Sequence, residues 1–204
     1  MRIGIIPTLG CNLASIVRGL KTTDFNVDVF DNYSDVSTVD LVVIPGVGNF
    51  GHVSHWLATE GYADEIREVA LRGQGILGIC LGLQLLCSGS EEAPGNQGLG
   101  LIPAYVKKFD AKQGVRSTHI GWDESKCISS SVSQKGLEKA LFYYAHRYFV
   151  PSDVKYCNAE GYHGQAFSSV VEENNIFGVQ FHPEKSQVAG IRLLGNVASY
   201  FATL

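Results

Sequence analysis

The sequence contains no run approaching the roughly 18 apolar residues a membrane-spanning helix requires. The apolar segment at its start, Met1 to Ile6, is short and is ended by Pro7, so it does not read as a secretory signal. There is no basic excess. Sixteen Lys and Arg stand against 20 Asp and Glu, a net charge of −4, which offers no electrostatic footprint for nucleic acid or an anionic membrane surface. The cysteines number five, an odd count, scattered at positions 11, 80, 87, 127 and 157 with no C-x-x-C pair. That excludes a disulfide framework and a structural zinc knuckle. No G-K-[ST] segment is present to cradle a phosphate. Internal repeats, low-complexity tracts and a dividing linker are also missing. The expectation is a single domain over residues 1–204, small enough for one core, located in the cytoplasm.

What is present is a pattern that changes at mid-chain. The first half alternates short apolar runs with longer amphipathic ones. Arg2–Ile6, Asn26–Phe30, Asp40–Ile44 and Gly75–Ile79 read as strands. Asn12–Leu20, capped by Asn12, and Tyr62–Arg72 read as helices, and Leu81–Cys87 begins another. This alternation predicts parallel strands with right-handed helical crossovers covering both faces. The second half reads as strands with few helices between them: Ala104–Phe109, Tyr143–Val150, Tyr156–Tyr162, Gln165–Glu172 and Ile176–Phe181. They predict antiparallel additions to the parallel core. Lys185–Leu204 closes the chain as a helix. Pro94–Gly100 reads as a loop, Lys126–Lys135 as an exposed turn, and Thr118–Trp122 as a short aromatic turn. The fold class is therefore α/β, a three-layer open mixed sheet with a mostly parallel core.

The most informative segment is Gly78-Ile-Cys80-Leu-Gly82, where a buried strand gives way to a helix. Glycines two residues to each side of one nucleophilic side chain match the G-x-nucleophile-x-G turn. Such a turn raises the side chain above the strand ends. It also sets the sulfur at a helix N-terminus, where free N–H groups and the helix dipole favour a thiolate and can stabilise an oxyanion. Taken alone, the same residues also fit a buried core cysteine. A nucleophilic cysteine needs a base, and the base needs an orienting group. Of six histidines, His182 stands at the end of the strand Ile176–Phe181, is followed by Pro183, and has Glu184 two residues on to hold one ring nitrogen. His52 and His55 share a helix face without a third ligand, so no metal site is expected there. His146 reads as a packed residue of an aromatic strand. Pro45-Gly-Val-Gly48 follows a buried strand, and its glycines would let backbone N–H groups turn toward an oxyanion beside Cys80.

Together, Pro45-Gly-Val-Gly48-Asn-Phe50, Gly78-Ile-Cys80-Leu-Gly82-Leu-Gln84 and Phe181-His182-Pro183-Glu184 resemble the class I glutamine amidotransferases, whose core is flavodoxin-like. Within that class the resemblance is to the glutaminase subunits of imidazole glycerol phosphate synthases. It is carried also by His119-Ile-Gly-Trp122 and by Gly178-Val-Gln-Phe-His-Pro-Glu-Lys-Ser-Gln187, and it spans nearly the whole chain. The resemblance implies that Cys80 is the nucleophile, His182 the base and then the acid, and Glu184 the orienter. Gly48 and the backbone N–H of Leu81 would form the oxyanion hole. Gln84 and the strand around Arg147 and Tyr148 would hold glutamine. His119, Trp122 and Lys185 would face a partner, a (β/α)8-barrel synthase that consumes the ammonia, in a heterodimer of the histidine pathway. A peptide rearrangement in Gly46–Gly48 would complete the oxyanion hole when the partner is liganded. No cofactor or metal is implied, and no nucleic acid or membrane. Three positions depart from the family pattern. The first turn is Pro7-Thr-Leu-Gly-Cys-Asn12, Arg147 stands where serine is usual, and Thr118 where proline is usual. They keep open a paralogue that feeds another amidating synthase, such as one acting on a surface-glycan sugar. A non-catalytic regulatory homologue is the remaining alternative.

Overall fold

The computed structural model describes residues 1–8, 10–22, 25–110 and 115–203. Leu9, in the divergent first turn, and Leu204, at the end of the expected last helix, lie outside the described residues. In chain order the first half runs β1 (Arg2–Ile5), α1 (Leu13–Leu20), β2 (Asn26–Val29), β3 (Leu41–Ile44), α2 (Phe50–Thr59), α3 (Tyr62–Leu71), β4 (Gly75–Ile79) and α4 (Leu81–Leu86). The second half adds β5 (Cys87–Ser90), β6 (Ile102–Lys108), β7 (His119–Glu124), β8 (Lys126–Cys127), β9 (Leu141–His146) and β10 (Tyr148–Phe149). It ends with β11 (Cys157–Tyr162), β12 (Ala166–Glu173), β13 (Ile176–Val179) and α5 (Gln187–Phe201).

The principal sheet has the order β2-β1-β3-β4-β13-β12-β11-β8. The first five strands pair in parallel and the last three are antiparallel additions. The mixed three-layer architecture is the one the patterning predicts. Its cause is visible in β3, whose four residues Leu-Val-Val-Ile are all buried. Leu41 and Val43 pack into the layer that holds Leu20 of α1 and Leu194 of α5, while Val42 and Ile44 face the layer of Leu57 and Ile66 from α2 and α3. A strand covered on both faces has no polar side and so reads as an unbroken apolar run.

The structure differs from the sequence expectation in the second half. The segment read as one strand from Tyr143 to Val150 is two strands, β9 paired with β7 and β10 paired with β6. The break falls at Arg147, whose carbonyl accepts from the Phe109 N–H, while the His146 ring bonds back to the Tyr148 carbonyl. Thr118–Trp122 is not a turn, because His119 opens the six-residue strand β7. Nor is Lys126–Lys135 an exposed turn. It begins with β8, and its serine run folds over the Glu172 carboxylate, which accepts from Ser131 Oγ and the backbone N–H groups of Val132 and Ser133. The helix begun at Leu81 ends at Leu86, with Cys87 already in β5.

What positions the site is the pairing of β13 with β4, in register Gly178 to Gly78 and Val179 to Ile79. Two strands a hundred residues apart in sequence therefore end at one edge, with Cys80 next after one and His182 three residues after the other. Strand β13 is delivered there by a two-residue link from β12, with Asn174 at φ 51, a left-handed conformation that asparagine tolerates. Asn175 Nδ2 then donates to the carbonyls of Ala70 and Gln74 and anchors the hairpin to the end of α3.

Candidate active site

Cys80 occupies a strained backbone position, φ 54 and ψ −106, between β4 and α4. The flanking glycines are sterically required. A Cβ on Gly82 would lie 1.8 Å from the Ile44 carbonyl oxygen, and one on Gly78 would lie 2.7 Å from the Gly82 carbonyl carbon. The turn can form only because the start of α4 rests directly on the ends of β3 and β4. Strain held this way is characteristic of functional turns.

His182 meets this turn from β13. Its backbone N–H donates to the Tyr143 carbonyl at 2.8 Å, and its Nδ1 lies 2.8 Å from Glu184 Oε1. Both side chains are only 3% exposed, so the pair is shielded from water. The second carboxylate oxygen, Glu184 Oε2, is buried with no hydrogen-bond partner among the described residues. Burial alone would lower the His182 pKa. The Cys80 sulfur, acting on the ring both as a charge and as a hydrogen-bond partner, and the Glu184 carboxylate outweigh it and raise the value to about 10. The arrangement thus favours an imidazolium able to donate a proton from the nitrogen that faces the sulfur. By contrast, burial pushes the Cys87 thiol up to about 12, the behaviour of an inert core cysteine.

A cavity of about 220 Å³ opens beside the sulfur. Cys80, Leu81 and Gln84 line it from the turn, Val47 and Gly48 from the glycine loop, and Ala145 to Tyr148 from the link between β9 and β10. Glu92 completes it, with Oε2 accepting from the Phe50 N–H at 2.8 Å. The cavity therefore carries an exposed guanidinium, Arg147, and a carboxylate, Glu92, which suits a zwitterionic amino acid. Glu92 was not legible in the sequence, because nothing in its acidic, turn-rich surroundings distinguishes it. A larger cavity of about 330 Å³ between α2 and the Gly95–Leu99 segment has no cysteine in its lining, its Ser54 hydroxyl donates to the Gln97 carbonyl, and its Arg67 is already bonded to the carbonyls of Leu99 and Gly98.

A family model for class-I glutamine amidotransferases matches residues 9–196 of this chain. The chain belongs to that family. Among its relatives, the imidazole glycerol phosphate synthase subunit HisH of Moorella thermoacetica is 37% identical over 187 residues, covering 91% of this chain and 88% of that protein. The imidazole glycerol phosphate synthase hisHF of Emericella nidulans is 38% identical over 205 residues, but the match takes in 94% of this chain and only 37% of that longer protein. A crystal structure of a glutamine amidotransferase superposes with a TM-score of 0.74 over 98% of this chain and 97% of the other, at 18% identity, which bears on the fold.

In this amidotransferase the Leu81 N–H is directed at the Gly46 carbonyl, 3.4 Å away, rather than into the cavity. Gly48 borders the cavity at φ 99, which suits glycine and strains other residues. The two groups expected to form an oxyanion hole are thus adjacent to the sulfur, with one N–H facing a backbone oxygen. Gln84 borders the cavity as expected, but its amide nitrogen is committed to the Tyr148 carbonyl at 2.8 Å and to Gln180 Oε1 at 3.3 Å. Of the three residues expected on the partner face, Trp122 is 45% exposed and Lys185 is exposed. Both contact the Tyr143 ring, Trp122 edge-on and Lys185 through its ammonium. His119 is a correction. Its ring is buried, stacked between Tyr144 and His163 with centroids 4.6 Å away on each, because β7 turns that side chain inward when it pairs with β9. His52 and His55 lie exposed on α2, away from the site.

The buried histidines make acid stability predictable. Burial and the neighbouring His163 lower the His119 pKa from 6.5 to about 4, and burial lowers that of His146 to about 3. A histidine with a depressed folded value stays neutral in the native state while the unfolded chain takes up the proton. Stability therefore rises with pH across this window and is lost as pH falls from about 6.5 toward 4. About two protons should be taken up on unfolding there. Urea midpoints measured against pH should show that slope, and His119→Phe should flatten it by about one proton. An unchanged slope in the variant would contradict the assignment.

Proposed function

We propose that this chain is the glutaminase subunit of an imidazole glycerol phosphate synthase, hydrolysing glutamine to glutamate and passing ammonia to a (β/α)8-barrel cyclase. The observation that carries the reading is the convergence of Cys80, His182 and Glu184 at the joined ends of β4 and β13, beside a cavity sized for one amino acid. The Cys80 sulfur attacks the side-chain carbonyl carbon of glutamine. The tetrahedral oxyanion is held by backbone N–H groups at Leu81 and Gly48. Ammonia leaves with a proton from His182 and a thioester remains. A water deprotonated by His182 then displaces the sulfur and frees glutamate. The chemistry calls for no cofactor or metal. Glu92 and Arg147 bind the amino and carboxylate groups, and Gln84 and Tyr148 complete the pocket. Ammonia released into bulk water would be protonated and lost as a nucleophile, which is the reason for a closed path into the partner.

The relatives of both lengths support a heterodimer, since the counterpart of this chain is about a third of the hisHF polypeptide. Trp122, Tyr143 and Lys185 beside the site are the surface we assign to the partner. A biosynthetic role of this kind belongs in the cytoplasm. Among the described residues, no helix is long and apolar enough to cross a membrane.

The Leu81 N–H pointed at Gly46 motivates the test. The isolated chain should turn over glutamine slowly, and the barrel loaded with its ribotide should raise the rate about 100-fold or more, the worth of one restored oxyanion donor. Equal turnover with and without the liganded barrel would sink the reading. Arg147 and the divergent first turn favour one alternative, a paralogue serving another synthase. Stimulation by a sugar-amidating barrel and not by the histidine-pathway barrel would establish it.

A further inference from the structure

Gln180, immediately after β13, has no role in the mechanism above, yet its side chain is completely buried. A buried amide is costly unless each of its polar atoms finds a partner. Here the partners form a connected network. Gln180 Nε2 donates to Cys80 Sγ at 3.7 Å, and Gln180 Oε1 accepts from Gln84 Nε2 at 3.3 Å. Gln84 Nε2 also donates to the Tyr148 carbonyl at 2.8 Å, and the His146 Nδ1–H bonds to that same oxygen at 2.9 Å. With Nδ1 carrying the proton, His146 Nε2 is an acceptor and meets His119 Nδ1 at 3.2 Å. From Gln180 to His146 each contact pairs one donor with one acceptor, with Gln84 Nε2 donating both ways. The network begins on the pocket wall and ends on the sulfur.

We propose that Gln180 is a positioning residue for Cys80: its amide N–H holds the sulfur and favours the thiolate, and the link through Gln84 sets the sulfur and the Tyr148 wall of the pocket together. The physical reason is that an N–H donor interacts more strongly with a thiolate than with a thiol. In a site this dry, a single such donor is not replaced by water. An apolar residue of the same length would pack equally well, so the amide is there for its hydrogen bonds. This inference rests on Cys80 being the reactive thiol.

The test reads the sulfur directly in the full-length chain. Cys80 is alkylated with iodoacetamide across a pH series, and labelling is assigned by peptide mass. Gln180→Met keeps the length and removes both bonds. Gln180→Glu keeps the acceptor for Gln84 and replaces the donor with a negative charge, so it serves if the first variant does not fold. In a folded variant the alkylation midpoint should move up by about one pH unit or more, with a drop of about tenfold in rate at pH values below the wild-type midpoint. The Glu variant should move further than the Met variant. A folded Gln180→Met or Gln180→Glu protein with the wild-type midpoint overturns the proposal. If wild-type Cys80 itself is not labelled ahead of the other cysteines, the nucleophile assignment fails instead, so the two failures are distinguishable.

Discussion

Cys80→Ala is expected to reduce glutamine hydrolysis by about 10⁴-fold or more, with the liganded partner present. Removing a covalent nucleophile does not leave a weaker version of the same reaction, because neither the thioester nor the proton transfer coupled to it can form. The remaining pocket and backbone donors can only assist direct attack by water. The substitution should leave the fold intact. Alanine is smaller than cysteine and is no more strained at φ 54, so the turn between β4 and α4 keeps its shape. An unaltered urea midpoint and unaltered binding of the barrel partner would show this. The variant also removes one of the two groups that hold His182 in its charged form, leaving Glu184 as the other. Hydrolysis within tenfold of wild type would remove Cys80 from the mechanism and with it the proposed function.

Gly82→Ala should be among the most damaging single-methyl changes in the molecule. The added carbon would sit 1.8 Å from the carbonyl oxygen of Ile44, at the end of a central strand that is buried on both faces. No flexible side chain is available to move aside. Either α4 lifts from the sheet or β3 shifts, and both elements are packed into the main core. A loss of about 3 kcal/mol or more in unfolding free energy is expected. Activity should fall even in the folded fraction, since lifting α4 displaces Cys80 and the Leu81 N–H. Gly195→Ala is the matched control. It lies inside α5 with open space where the methyl would go, and it should be neutral or stabilising by roughly 0.5–1 kcal/mol. Urea denaturation of the two variants side by side decides the point. If Gly82→Ala unfolds at the wild-type midpoint, the turn is looser than its geometry implies.

The two variants also show where information about this protein resides. The alternation of apolar runs and helices made the parallel core legible, because a strand covered on both faces has to be apolar at every position. The pattern Gly78-x-Cys80-x-Gly82 was legible because the close approach of Gly82 to Ile44 and of Gly78 to Gly82 leaves no room for a side chain. His182 and Glu184 were legible as a pair because they are two residues apart and need only a local turn to meet. Each of these signals is a local constraint, and a linear sequence records local constraints.

The remainder depended on which strands became neighbours. That β13 lies beside β4 was conditional until the tertiary structure paired them, since hydrogen bonds between strands a hundred residues apart carry no residue-type signature. The inward turn of His119 follows from the pairing of β7 with β9, and a strand that read as a turn gave no reason to expect it. Glu92 entered the pocket, and Gln180 reached the sulfur, only through contacts spanning 42 and 100 residues of sequence. The sequence by itself determined the family and the parallel core and pointed to the triad we propose, because these rest on periodicity and on short-range sterics. Only the tertiary structure decided how the pocket is walled, which way the Leu81 N–H points and what holds the sulfur, because these are set by long-range packing.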